Sequence, residues 1–296
     1  MSNPNPIQEQ LNKLIEFRQA VHQFFLTGQS DAQFEVIDAL LLQRGITSFA
    51  ELSLSPVFRR RWPSVYAALE DGKQNIDWLR RQLCVQMPTK ERLIFSLDGT
   101  AWPRPAAPTL SDRQYVYSPT PAIDGGSIVV GYPYSILAWV AEAGSSWALP
   151  LDIERISSQQ TAVEMGITQV KRLCELRADQ LADCQHIVVA DGKYGNHRFL
   201  GPLRSQDCGL LVRMRRDRVL YDSPGEYSGH GRPPVHGERF AFDEPDTWKK
   251  PTQLVDLEHP KWGTVKVRLW HGLHAREDAS TVFSVLCIET HLERDH

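Results

Sequence analysis

The chain has 296 residues and a net charge of −3, with 42% hydrophobic and 23% charged residues. This is the composition of a globular protein of one large or two ordinary domains, and it excludes a largely disordered chain. With an acidic balance overall, any nucleic-acid surface must be gathered locally from the 33 Lys and Arg residues. No run approaches the roughly 18 apolar residues of a membrane span. The opening Met-Ser-Asn-Pro-Asn-Pro lacks a basic head and an apolar core, so no secretory signal is expected. Cys84, Cys174, Cys184, Cys208 and Cys287 form no C-x-x-C pair. That points away from a disulfide framework or a zinc knuckle and toward the reducing cytoplasm.

In chain order, residues 1–88 predict a small all-α domain. Pro6 suits a first helical position, and Leu14, Phe17, Val21 and Phe24 recur at helical spacing up to Gly28. Ser30 and Gln33 have capping-box spacing ahead of Phe34, Ile37 and Leu41, with Gly45 as the stop. Two more helices are predicted, one from near Pro63 through Tyr66 and Leu69, the other through Ile76, Leu79, Leu83 and Cys84. Arg59-Arg60-Arg61-Trp62 lies ahead of them. It reads as a phosphate-contacting corner or as a solvated charge run, and the commonness of such runs favours the second.

From residue 89 the pattern turns to mixed α/β. Residues 92–97 (Arg-Leu-Ile-Phe-Ser-Leu) predict a buried strand closed by Asp98-Gly99-Thr100, and residues 127–131 and 147–153 predict two more. Asp124-Gly125-Gly126 reads as the turn before the first of these. Ser157 and Gln160 would cap a helix with Val163, Ile167, Val170 and Cys174 on one face. Residues 186–190 (His-Ile-Val-Val-Ala) read as a strand ending in Asp191-Gly192-Lys193, followed by a helix over 197–205 and a strand over 209–214. Beyond them, residues 262–270 and 281–288 read as strands and residues 223–237 as a loop.

Two apolar strands therefore each deliver an aspartate, then a glycine, at their carboxyl ends. In an open α/β sheet that edge is where ligands bind. An aspartate at the rim of an apolar strand is costly to desolvate unless a cation or a donor meets it. Either Asp-Gly pair alone reads as a turn. The two at matching positions point to a paired carboxylate site.

The residues around these aspartates resemble a known family. Residues 97–105 (Leu-Asp-Gly-Thr-Ala-Trp-Pro-Arg-Pro), then Asp112-Arg113-Gln114-Tyr115 and Gly131-Tyr132-Pro133-Tyr134-Ser135, are similar to the first-aspartate region of DDE-type insertion-sequence transposases. Residues 190–196 (Ala-Asp-Gly-Lys-Tyr-Gly-Asn) resemble the second-aspartate region, and the likeness continues through residues 211–221 to His236-Gly237. The resemblance implies a ribonuclease H-like catalytic domain over 89–296, with a β-rich insertion from about 215. It also implies DNA transposition through metal-dependent strand cleavage and strand transfer. Asp98 and Asp191 carry over as catalytic residues and ligands of Mg²⁺ or Mn²⁺, which take oxygen donors and keep several waters. The partners it implies are double-stranded DNA and a second copy of the chain, with no membrane.

The family pattern places a third acid, a glutamate, on a helix behind the insertion. Glu289 and Glu293 are the candidates, yet both follow a predicted strand, so the reading is of a chain lacking that acid and its helix. The expected DNA-contacting residues are Arg104, Lys193, Arg213, Arg215 and Arg216. From Asp191 to Arg218 seven basic residues stand against three acidic, whereas residues 222–258 hold four basic and eight acidic. A non-catalytic DNA-binding fragment is the rival from another class. A haloacid-dehalogenase-like phosphatase is the rival enzyme, because Asp98-Gly99-Thr100 resembles part of D-x-D-G-T. Its nucleophile position, however, holds Ser96. His230, His236, His271 and His274 read as loop histidines, zinc being disfavoured by the absence of ligands at helical spacing. No G-x-S-x-G elbow and no phosphate-binding G-x-x-x-x-G-K-[ST] loop occurs.

Overall fold

The structure, a computed structural model, describes residues 6–45, 48–88, 90–118, 126–141, 147–180, 184–227 and 229–290. The chain divides into two compact units, Met1–Pro88 and Thr89–His296. The first contains α1 (Pro6–Ala20), α2 (Ser30–Leu42), α3 (Phe49–Leu52), α4 (Pro63–Glu70) and α5 (Ile76–Val85). Its core is Ala32, Val36, Ala39, Leu52, Phe58, Val65 and Ala68.

Three local expectations in this unit are corrected. The first helix leaves α geometry at Ala20 and closes with a π turn, Val21–Phe25. Pairing of Phe25 and Thr27 with Asn75 and Lys73 draws the chain out of the helix there. Ser30 and Gln33 do not form a capping box. The cap is Gln29 in a left-handed conformation, Ser30 Oγ donates back to Leu26 O, and Gln33 reaches Gly28 O. The buried face of α2 carries Ala32, Val36 and Ala39, whereas Leu41 is exposed. Small residues let α2 approach α4 closely, a preference that apolar periodicity alone does not register. Within Arg59-Arg60-Arg61, the first two arginines hold the buried carboxylate of Glu35. A buried charge needs such partners, so these residues have a structural task.

The second unit holds two sheets. The first contains β1 (Arg92–Pro103), β2 (Gln114–Tyr117), β3 (Ile128–Val140), β4 (Ala148–Arg155), β5 (Gln185–Ala190) and β6 (Gly209–Val212). Their order is β2-β3-β1-β5-β6, with β4 also pairing β3. The β1–β3 pair is antiparallel, whereas β1–β5 and β5–β6 are parallel, so the sheet is mixed. α6 (Ala162–Leu176) and α7 (His197–Leu203) complete this α/β part. The second sheet contains β7 (Val219–Tyr221), β8 (Arg239–Ala241), β9 (Gln253–His259), β10 (Gly263–Ala275) and β11 (Asp278–Thr290), around a core of Leu220, Phe240, Trp270 and Leu273.

α6 is capped by Thr161 and Glu164, a reciprocal box one turn later than the expected Ser157 and Gln160. It lies on the sheet face that carries Leu97, Ser135 and Asp152. Gln169 bonds Ser135 Oγ and two strand carbonyls, and a Cβ on Gly166 would collide with Leu97 and Tyr194. The opposite face is more open, with Ile153 53% and Leu211 49% exposed. The Asp124-Gly125-Gly126 turn falls mostly outside the described residues. The histidine reading is corrected as well. His271 and His274 belong to β10, and His274 is buried, its Nε2 2.9 Å from Nδ1 of His236. Among the described residues no helix is long and apolar enough to cross a membrane.

Candidate active site at the rim of the mixed sheet

The first strand does not stop at Asp98. β1 runs on to Pro103 because Gly99–Pro103 continue to pair with Gly131–Ser135 of β3. Asp98 therefore belongs to a long strand, opposite Ile136, and the Asp-Gly turn reading does not describe it. On its other side β1 runs parallel to β5, with Leu97 opposite Ala190. Asp98, within β1, and Asp191, just past the end of β5, each follow that last pair, so they stand side by side where the parallel pairing ends. Adjacent strands lie about 4.8 Å apart, which brings two side chains at matching ends within reach of one ligand.

Both carboxylates are exposed, and each accepts one local backbone hydrogen bond. Asp98 Oδ1 takes Gly99 N at 2.7 Å, and Asp191 Oδ1 takes Lys193 N at 2.9 Å. Neither has an ion-pair partner among the described residues. Beneath them lies Tyr194, fully buried, whose ring packs against Phe199. Burial raises its hydroxyl above the usual tyrosine range, Ser135 opposes that shift, and the charges of Asp191 and Asp98 add smaller upward contributions.

The basic residues arrive by three routes. Lys193 lies two residues after Asp191, and its Nζ is 3.8 Å from where a Cβ on Gly99 would sit. Arg213 N donates to Ala190 O, so the chain leaving β6 runs beside the Asp191 loop. A Cβ on Gly195 would strike Arg213 O, so this glycine permits the close approach, and Gly192 faces the Arg215 side chain at ordinary contact distance. Arg213, Arg215 and Arg216 are exposed, with no ion pair among the described residues. Arg104 lies just past the far end of β1, its guanidinium 3.6 Å above the Trp102 ring. It is thus separated along the strand from the group at Asp191.

Two carboxylates suit a hard divalent cation that keeps most of its waters. Among the described residues no third His, Cys, Asp or Glu is grouped to complete a metal cage. Glu289 lies in β11, paired with Arg268 at 3.1 Å, and Glu293 falls outside the described residues. Sequence reasoning did not single out the polar layer under the rim: Tyr194, Ser135 and Gln169, all fully buried. The signal for it was a glutamine within the apolar stripe of Met165, Val170 and Leu173.

The sequence matches the DDE superfamily endonucleases over residues 21–276, and the chain belongs to that family. A comparison with curated proteins finds no match.

Proposed function

We propose that this chain is a DDE transposase that cuts and joins DNA strands, with a ribonuclease H-like catalytic domain over 89–296 and a helical domain before it. The observation that carries the reading is the side-by-side exit of Asp98 and Asp191 from parallel strands. The β3-β1-β5-β6 order, with one antiparallel and two parallel pairings, supports the domain assignment. The sheet of β7 to β11 then corresponds to the β-rich insertion.

Asp98 and Asp191 would hold Mg²⁺ or Mn²⁺ through their carboxylate oxygens. Such a cation supplies charge neutralisation and a polarising centre at a scissile phosphate. Lys193, Arg213, Arg215 and Arg216 bind the DNA backbone beside the aspartates, and Arg104 extends the contact along β1. The buried Tyr194 layer fixes the loop that carries Asp191. A homodimer on double-stranded DNA in the cytoplasm is the working assembly of this reading.

The test is nicking of supercoiled plasmid DNA with Mg²⁺ or Mn²⁺, beside hydrolysis of p-nitrophenyl phosphate. Cation-dependent nicking that is lost in Asp98→Asn and Asp191→Asn is expected, with no phosphomonoester hydrolysis. DNA binding without nicking would favour the non-catalytic reading, and phosphomonoester turnover would favour the phosphatase.

A further inference from the structure

Strands β9, β10 and β11 form a sheet with two unlike faces. Antiparallel pairing sets Val267 of β10 between Val255 of β9 and Ile288 of β11, in one cross-strand row. Leu257 and Val265 lie in the row on one side of it, Leu269 and Leu286 in the row on the other. Paired residues point the same way and side chains alternate along each strand, so all seven share a face. Thr290 and Gln253 complete the rows, so this face holds no Asp, Glu, Lys or Arg. It is open to solvent, with Leu257 52% and Ile288 60% exposed.

The reverse face carries Asp256, Glu258, Lys266, Arg268 and Glu289. Arg268 holds Glu289 at 3.1 Å there, and Thr264 Oγ1 donates to Glu258 at 2.7 Å. Trp270, Val285 and Cys287, on the same side, pack into the core of the second sheet. The sheet thus turns its charged side to its own core and its apolar side to solvent, the reverse of the ordinary arrangement. Polar groups bound the apolar face at both ends. His271 Nδ1 lies 2.7 Å from Ser284 Oγ beyond Leu269, and His259 stacks on Trp262 at 4.4 Å beyond Leu257. An exposed apolar patch with a polar rim marks a protein–protein contact.

We propose that this face docks a second copy of the chain, the two identical faces meeting about a two-fold axis. The charge pattern selects that occupant. DNA is excluded, because binding its backbone needs cations and the face has none among its three rows. A partner chosen by opposite charge finds nothing to pair with. Two copies, by contrast, meet without opposing any like charges, and a flat apolar face is complementary to itself. Two sheets pack about 10 Å apart, a distance at which the side chains of both faces interleave. With strands about 4.8 Å apart and a rise of about 3.4 Å per residue, the face measures about 15 by 20 Å. That is below the roughly 800 Å² per partner of a standard stable interface, so the dimer exchanges with monomer at micromolar concentrations. The inference gives a surface to the homodimer of the reading above, and its test needs no DNA.

The test is sedimentation velocity of the full chain over the micromolar range, at low and at high salt. A monomer–dimer equilibrium is expected, no weaker at high salt, because no ion pair crosses the contact. Ile288→Lys and, independently, Leu286→Lys set like charges against each other across the axis. Each should weaken the dimer on the order of tenfold or more, with circular dichroism showing the fold retained. Lys266→Gln, on the reverse face, should dimerise as the wild type does. A monomer throughout the range overturns the assignment, as does a dimer that neither lysine variant weakens or one that high salt dissolves. Open-ended aggregation in place of a dimer overturns it too. Plasmid nicking by the same wild-type preparation decides the nuclease reading separately, so either can fail while the other stands.

Discussion

Asp98 and Asp152 lie in the same sheet, on β1 and β4, and the protein treats them in opposite ways. Asp152 is 6% exposed and is held by Arg172, which also reaches Glu154 at 3.1 Å. Asp98 stands exposed beside Asp191, with arginines nearby and none among the described residues paired to it. The same contrast separates Glu35, clasped by Arg59 and Arg60, from Arg213, Arg215 and Arg216, which clasp nothing among the described residues. Charges that serve the fold have found their counter-ions within the chain. Those at the sheet rim are left for ligands of either sign, a cation for the aspartates and phosphates for the arginines.

The largest effect that can break this comparison is a pair of isosteric changes. Asp98→Asn should lower cation-dependent nicking about a thousandfold or more and leave thermal stability nearly unchanged. Asp152→Asn should do the reverse, costing about 2 kcal/mol through a weakened charged hydrogen bond, read by chemical denaturation, with nicking reduced only as far as the fold is lost. Equal destabilisation by the two changes would erase the distinction.

A second test uses pH. His186 is 2% exposed, stacks on Phe95 and accepts from Arg177 Nε at 2.7 Å. Burial, then the Arg177 charge, hold its imidazole down at about 4. The folded state therefore needs this ring neutral, while the unfolded chain protonates it near 6.5. Its contribution is fully present above that value and is lost as pH falls from about 6.5 toward 4, by about 3 kcal/mol in the limit. Denaturation midpoints across that window should flatten in His186→Phe. An unchanged slope would show that the acid sensitivity lies elsewhere.

The smallest effect concerns the arginines. Replacing Arg213, Arg215 and Arg216 by Ala should leave the melting temperature unchanged and weaken binding to all duplex sequences alike. The salt dependence of binding should flatten by about one unit of slope for each phosphate no longer neutralised. An intact slope in the folded variant would move the DNA path away from the rim.

Much of the rim was legible in the sequence because strand-end aspartates announce themselves through a local pattern, an apolar run followed by Asp-Gly. What the pattern could not supply was where β1 ends. Its continuation to Pro103 depends on pairing with Gly131–Ser135, some 30 residues away in sequence. The helix caps failed for a related reason. Ser157 and Thr161 both offer a hydroxyl, and tertiary packing of Met165 and Gly166 on the sheet selects the later start. Short strands such as β7 and β8 carry too few residues for period-two alternation to register, and β9 was missed even though its seven residues include alternating apolar positions. His274 looked like a loop residue because the pairing of β10 with β7 and β11 is not local.

The central claim is that Asp98 and Asp191 together form one cation site. Titration of Mn²⁺ into the full chain, followed by the electron paramagnetic resonance signal of the free ion, tests it without requiring DNA or turnover. The account predicts a saturable site whose affinity drops about tenfold or more in Asp98→Asn and likewise in Asp191→Asn, while Glu289→Gln binds as the wild type does. Wild-type Mn²⁺ affinity in both aspartate variants would contradict it.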